Sequence, residues 1–411
     1  MLKGFLIILI TILSGNAFAE SNAESYYFYR LEAEKLGSSR AQFYLGDLYE
    51  RGIDVPQDYK EAAKWYLLAA IQGVAHAQSR LGGLYEKGLG VSQDYQQAAK
   101  WYQLAAIQGI ALAQSNLGLL YEKGLGVPQD YKIAATWFKQ AADKWYPLVA
   151  PEGVAQAKLN LGILYEKGLG VNQNYVEAAK YYQQAAEQNV AQAQLNIGIL
   201  YEKGLGVFQD NEQAAKWYRM AAAQNVAIAQ LNLGVMYEKG LGVAQDYKEA
   251  VNLFQSAAAQ GVTQAQLELG IMSEKGQGTP QNFKEAAKWF RLAATQGSAI
   301  AQVSLANQYE NGLGVQQDFK EAANWYRLAA VQGVALAQYR LGFLYEKGIG
   351  VSQDPAEAVK WLRLAAAQGM SIALAHLRGL YKFEEQKNKQ GNLTDVPQRK
   401  VMPYHKATGA N

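Results

Sequence analysis

No cysteine occurs among the 411 residues, which excludes disulfides, thiolate metal sites and a cysteine nucleophile at once. Histidine is nearly as scarce. His76, His376 and His405 are the only three, and no complementary catalytic pair stands near the first two in sequence. An excess of one charge is missing too: 39 Lys and Arg face 36 Asp and Glu, a net of +3, so no basic field marks a nucleic-acid partner. With no nucleophile, base and electrostatic stabiliser to assemble, the sequence reads as a non-enzyme, without cofactor and without metal. Beyond residue 13, long apolar runs that could span a bilayer are also lacking.

The one long apolar run lies at the start. Lys3 supplies a positive charge, Phe5 to Leu13 is wholly apolar but for Thr11, and Ala17-Phe18-Ala19 puts small residues where a signal peptidase reads. The run is too short to cross a membrane, so residues 1–19 read as a cleavable signal peptide, with Glu20 as the mature start. The expected location is periplasmic or secreted, with no integral membrane segment left after cleavage. No Cys follows the run, which argues against a lipid anchor.

What the chain has in abundance is itself. Tyr49, Tyr85, Tyr121, Tyr165, Tyr201, Tyr237, Tyr309, Tyr345 and Tyr381 recur in register, with Ser273 in the place of one more. Every step is 36 residues except one of 44, between Tyr121 and Tyr165. Such a period signals a stacked repeat architecture. In one unit, Ala77, Leu81, Leu84 and Tyr85 share a helix face over 75–87. Gly88 then stops that helix, with Leu89 placed for the apolar contact of the stop. A short loop leads to Asp94, the expected N-cap of a second helix over 95–108, with Gln97 as a capping-box partner. Asp58/Glu61, Asn174/Glu177, Asp210/Gln213, Asp246/Glu249, Asn282/Glu285, Asp318/Glu321 and Asp354/Glu357 repeat the pattern, and Asp130 lacks the partner because Ile133 replaces it. Capping accounts for these acidic pairs without catalysis. In the second helix small Ala pairs allow close approach, and Trp65, Trp101, Trp137, Trp217, Trp289, Trp325 and Trp361 (Tyr181 and Leu253 in the other two units) are expected to fill the space between units. No helix pair can bury its apolar face alone, so stability must come from stacking.

These residues resemble the Sel-1-like repeats, relatives of the tetratricopeptide repeats. The signature stands here as Ala191 and Ala193, then Leu200-Tyr201-Glu202-Lys203-Gly204-Leu205-Gly206-Val207, Gln209-Asp210, Ala214-Ala215-Lys216-Trp217-Tyr218 and Ala221-Ala222. The resemblance covers about four fifths of the chain. It implies an all-α, right-handed superhelical solenoid that recruits proteins, of a kind found in signalling, envelope assembly and bacterium–host contact. Some relatives carry a disulfide in each repeat and have been associated with β-lactams; the absence of Cys leaves nothing of that branch to carry over.

The expected organisation is a capping helix within 20–38, nine repeats over 39–370 with an eight-residue insertion at about 143–152, a C-terminal capping helix over 371–386 and a disordered tail over 387–411. The insertion holds Trp145, the one Trp outside the ladder. It reads either as a lengthened helix end folded back on its neighbour or as a protruding contact loop.

In solenoids of this family the first helices line the inner wall. At 100° per residue, the face opposite the core carries Leu159, Leu195 and Leu231 at the fifth position and Ile163, Ile199 and Val235 at the ninth. Asn160, Asn196 and Asn232 recur at the sixth. Either these residues pack against adjacent first helices, or they form an apolar groove for a protein or peptide partner, with the Asn row bonding an extended backbone. Recent duplication would also produce the Asn row. Toward the C-terminus the same wall offers Tyr339, Arg340 and Phe343, residue types common at interface hot spots. The functional expectation is an exported interaction scaffold. A secreted factor contacting host proteins or membranes, and a binder of cell-wall glycan or its enzymes, stand as alternatives. Expressed with its leader in a bacterial host, the chain is expected to yield an exported form beginning at Glu20; N-terminal sequencing of each fraction checks this, and cytosolic protein retaining residues 1–19 would refute it.

Overall fold

The computed structural model describes residues 22–143 and 153–390. The signal-peptide region, Trp145 with the rest of 144–152, and residues 391–411 lie outside the described residues. All regular structure among the described residues is α-helical, in an all-α solenoid. First helices are Ser39–Arg51, Ala75–Lys87, Ala111–Lys123, Val154–Lys167, Ala191–Lys203, Ala227–Lys239, Thr263–Lys275, Ala299–Asn311 and Ala335–Lys347. Second helices are Tyr59–Ile71, Tyr95–Ile107, Tyr131–Ala142, Tyr175–Ala186, Asn211–Ala223, Tyr247–Ala259, Phe283–Thr295, Phe319–Val331 and Pro355–Ala367. Asn22–Lys35 precedes them and Ser371–Gln390 follows, four residues longer than the 371–386 read from the sequence. The chain forms two compact units, one to Asp246 and one from Tyr247. No described helix is long and apolar enough to cross a membrane.

Each helix pair closes on one contact. The residue after the ladder tryptophan is a large side chain with no more than 1% exposure: Tyr66, Tyr102, Phe138, Tyr182 and Tyr218 in the first unit, Phe254, Phe290, Tyr326 and Leu362 in the second. In seven repeats it lies against the glycine of the first helix, and in another Tyr326 shares its core with Ala306. A Cβ on Gly82 would fall 2.7 Å from a ring carbon of Tyr102, and one on Gly46 would fall 2.5 Å from Tyr66. At these positions the missing Cβ leaves room for the ring. Burying each ring contributes about 1.5–3 kcal/mol. The tryptophans pack between repeats as expected but are not the deepest side chains. Trp217 and Trp361 are buried, but Trp65, Trp101, Trp137, Trp289 and Trp325 are only partly so, because they sit at the margin where one repeat meets the next.

The loop is set by two left-handed glycines. Gly88 (φ 68°) ends the first helix, and Leu89 N–H returns to the Leu84 carbonyl at 3.0 Å. Gly90 (φ 70°) lies so close to the preceding second helix that a Cβ would stand 2.1 Å from the Tyr59 carbonyl oxygen. Gln93 then caps the end of the first helix, its Nε2 donating to the Glu86 carbonyl at 2.8 Å. The N-caps are as read: Asp94 accepts from Gln97 N–H at 3.0 Å, and Asp58 from Lys60 and Glu61 N–H. The reciprocal half of the expected capping box is not made. The Asp94 N–H donates instead to the Tyr85 carbonyl at 3.0 Å, and Asp58 N–H to that of Tyr49. The third-position glutamates turn to lysines, as in Glu285–Lys288 and Glu357–Lys360 at 2.8 Å. Ile133 is tolerated for that reason.

A buried polar series runs beneath these contacts. Gln42, Gln78 and Gln194 in the first unit, and Gln266, Gln302 and Gln338 in the second, are buried at the fourth position of the first helix. Each accepts from the glutamine that closes the neighbouring second helix: Gln108 Nε2 reaches Gln78 Oε1 at 2.8 Å, and Gln332 reaches Gln302 at 2.9 Å. Gln78 donates on to the Ala70 carbonyl at 3.0 Å. Buried amides cost little when so satisfied. Two glycine variants separate close approach from mere glycine content. Gly90→Ala is expected to destabilise repeats 1 and 2 by about 1–3 kcal/mol from backbone strain alone, with the clash added. Gly83→Ala, in ordinary contact with Tyr102 at 3.5 Å, should be neutral or stabilising by up to about 1 kcal/mol. Hydrogen exchange over 59–108 reads both, and equal protection in the two variants would contradict the assignment.

Candidate interaction surface on the first helices

The structure divides the proposed groove residues into two sets. Leu159 (4% exposed) and Leu195 (5%) are buried, and Leu231 is half-buried. Leu159 joins a core of Tyr182, Ala178, Ile197 and Trp217. Tyr339 likewise belongs to the core around Leu362 and Leu377. The fifth position is therefore covered and does not floor an open groove, since a first helix inside a stack is flanked on more than one side. Ile163, Ile199, Val235 and Phe343 at the ninth position stay half-buried. Beside them lie half-buried Glu202 and Glu346, and exposed Lys203 and Lys347.

The Asn row has a structural partner that the sequence concealed. The hydroxyl of each buried tyrosine donates to the glutamate at the end of its own repeat's first helix. Tyr66 reaches Glu50 at 2.5 Å, Tyr102 reaches Glu86 at 2.6 Å, Tyr218 reaches Glu202 at 2.5 Å and Tyr326 reaches Glu310 at 2.7 Å; Tyr182 bonds Glu166 in the same way. Asn116, Asn196 and Asn232 hydrogen-bond those of Tyr102, Tyr182 and Tyr218. Burial first, then the carboxylate, pushes these phenols well above their ordinary range. Asn116, Asn196 and Asn232 thus have partners within the fold. At the far end Arg340 Nη1 stands 3.5 Å from Glu310, and His376 Nδ1 stands 3.5 Å from Glu346 with its ring against Tyr339 and Phe343. His376 does have a carboxylate beside it, which spacing in sequence could not show.

One rung differs. Phe138 occupies the tyrosine position beside Glu122 and brings no hydroxyl. Asn160, 6% exposed, accepts from Gln156 at 2.9 Å, while its own Nδ2 is buried without a protein partner. Burial raises the Glu122 carboxyl above the ordinary range, opposed by Lys123 and Lys167. Nothing in this surface assembles a catalytic constellation, and no cluster able to hold a metal occurs among the described residues.

Comparison with known proteins places this architecture. The Sel1 repeat model matches residues 39–74, 75–110, 111–144, 155–190, 191–226, 227–262, 263–298, 299–334 and 335–370. The chain belongs to the Sel1 repeat family. Sel1 repeat solenoids generally serve protein–protein interaction and are generally not enzymes. Two solved structures are similar over most of their length. One is a protective antigen of uropathogenic Escherichia coli strains displaying an SLR fold, at 29% identity and TM-score 0.63, covering 94% of each chain. The other is a Sel1 repeat protein from Oxalobacter formigenes, at 32% identity and TM-score 0.56, covering 82% of this chain and 99% of that one. Among curated proteins no sequence matches.

The Glu122 rung carries a pH signature within this Sel1 array. A carboxyl raised in the folded state favours folding when protonated. That contribution is complete below the ordinary glutamate range and is lost as pH rises through the raised value. Hydrogen exchange over 111–142 and 154–167 should accelerate across that window in the wild type and lose this increment in Glu122→Gln. An identical pH profile in the two proteins would exclude Glu122 as its source.

Proposed function

We propose that this Sel1 solenoid is an exported adaptor holding a partner polypeptide on the surface carried by its first helices. One observation carries the reading. After the third, seventh and tenth positions of the first helix have gone to the core, the ninth is left half-buried and apolar, and the thirteenth an exposed lysine, through the middle repeats; Asp47, Gly83 and Asn307 interrupt the apolar row elsewhere. Ile163, Ile199 and Val235 in the first unit, each four residues before Lys167, Lys203 and Lys239, show the pattern. Half-buried apolar side chains rimmed by charge suit a polypeptide with apolar anchors. The export element rests on Lys3, the apolar run from Phe5 to Leu13 and the Ala17-Phe18-Ala19 site. A second destination, outside the cell and in contact with a host, draws support from the similar protein described as a protective antigen in uropathogenic strains.

Chemical crosslinking with mass spectrometry on an envelope fraction tests the surface. Ile199→Asp and Lys203→Glu combined with Lys239→Glu probe it without entering the core, whereas Leu195→Asp and Tyr339→Ala would disturb buried packing. Partner crosslinks are expected to fall on 191–239 and to drop at least tenfold in both variants, about 1.4 kcal/mol or more of binding, with helix content by circular dichroism unchanged. Full capture by both variants would rule out this face. Recovery from culture medium rather than the periplasm would favour the second destination.

A further inference from the structure

We propose that the second unit carries a separate binding surface, on its second helices, for an acidic and amphipathic polypeptide segment. The starting point is an open groove of about 430 Å³ lined by Lys284, Lys288, Arg291, Leu292, Gly314 and Val315. It forms where the loop of one repeat lies against the preceding second helix. Repeat 1 has the same groove at about 230 Å³, with Lys60 and Lys64 in place of the two lysines and Leu67 in place of Arg291. The scaffold therefore does not need an arginine here. The guanidinium is an addition.

That addition recurs three times in succession. Arg291, Arg327 and Arg363 hold the same position in Phe283–Thr295, Phe319–Val331 and Pro355–Ala367. Each donates to a tyrosine hydroxyl of the following first helix: Arg291 to Tyr309, Arg327 to Tyr345 at 2.6 Å, and Arg363 to Tyr381 at 2.5 and 3.0 Å. The guanidinium carbons lie 5.6, 5.9 and 5.8 Å from those ring centroids. A guanidinium has five N–H donors. One or two are taken by the tyrosine, and the rest remain for a carboxylate. Because the tyrosine already orders a flexible side chain, part of the entropic cost of binding is met in advance.

The charge on this face is lopsided. The three helices carry seven basic residues against Glu285, Glu321 and Glu357, and two of those glutamates are ion-paired to Lys288 and Lys360. Next to each arginine in sequence is an exposed leucine: Leu292, Leu328 and Leu364. Each helix of this face thus presents a cation and an apolar side chain at adjacent positions. A purely hydrophilic polyanion would use only the cations, whereas a polypeptide bearing carboxylates and apolar side chains uses both. This inference names the chemistry of one partner of the scaffold proposed above but does not depend on the first-helix face, so either can fail without the other.

The test is fluorescence anisotropy of the full chain with a fluorescein-labelled 16-residue peptide, Glu-Leu-Glu-Ala repeated four times. Binding is expected, weakening with salt as partly exposed ion pairs do. Arg291→Leu, Arg327→Leu and Arg363→Leu together, the solution repeat 1 already uses, should reduce affinity at least tenfold with thermal unfolding little changed. Lys284→Glu with Lys320→Glu should weaken binding similarly while leaving the Arg–Tyr contacts intact. Arg219→Leu is the control: Arg219 bonds Tyr237 at 3.1 Å in the same manner, but Glu212 stands where Lys284 does, so its loss should not alter binding. Wild-type affinity in both multiple variants would overturn the proposal. So would equal, arginine-dependent binding of heparin or of phosphatidylglycerol vesicles, which would show an anion surface with no selectivity for polypeptide.

Discussion

The seating of one large side chain of the second helix against a small residue of the first, glycine in all repeats but that of Ala306, is the contact on which the rest of each repeat depends. Tyr102 fits because Gly82 has no Cβ, and two helices joined by a short loop are thereby drawn together at a fixed point. Helix pairs of 13 residues have too little apolar surface to persist alone. Fixing the closest point between them sets where the alanine pairs meet, where the next first helix lies and which side chains remain at the surface. A similar arrangement holds with Phe290 against Gly270 and Leu362 against Gly342, so volume at that position matters more than the hydroxyl.

The hydroxyl adds a second layer of order. Where tyrosine is present it ties a half-buried glutamate at the end of the first helix and, in three repeats, an asparagine from the next. The glutamine series does the same at the other end of the helices. Both tie repeat to repeat with bonds that apolar packing cannot specify, because dispersion contacts tolerate small slips and hydrogen bonds do not. Repetition makes the exceptions readable: Phe138 beside Glu122, and Lys158 at a glutamine position, its ammonium lowered from the ordinary range by burial.

What is left after core and ladders is the material for recognition. The two surfaces are chemically different. First helices offer half-buried isoleucine and valine with lysine beside them; the second helices of the second unit offer arginines held by tyrosines, each followed by an exposed leucine. A repeat array can vary such positions without endangering the fold, because each substitution touches only neighbouring modules. Arg291 and Leu67 occupy equivalent places with the helices intact around both.

Period, helix boundaries, N-caps and the glycine stops were legible in the residues alone, since each follows from local backbone chemistry that repeats nine times. The family followed from the same local signature. Burial on the far side of the first helix was not legible: a helical wheel locates one apolar face, yet Leu159 and Leu195 are covered because stacking encloses the helix from a second direction. Nor could the wheel rank Trp101 below Tyr102, because depth depends on the glycine facing it from another helix. The asparagine row, open to a partner in one dimension, is engaged by tyrosines that lie 14 residues earlier in sequence, as Tyr218 and Asn232 do. Local chemistry thus determined the modules, while contacts between modules, made only in three dimensions, decided which of their side chains are free to meet anything else.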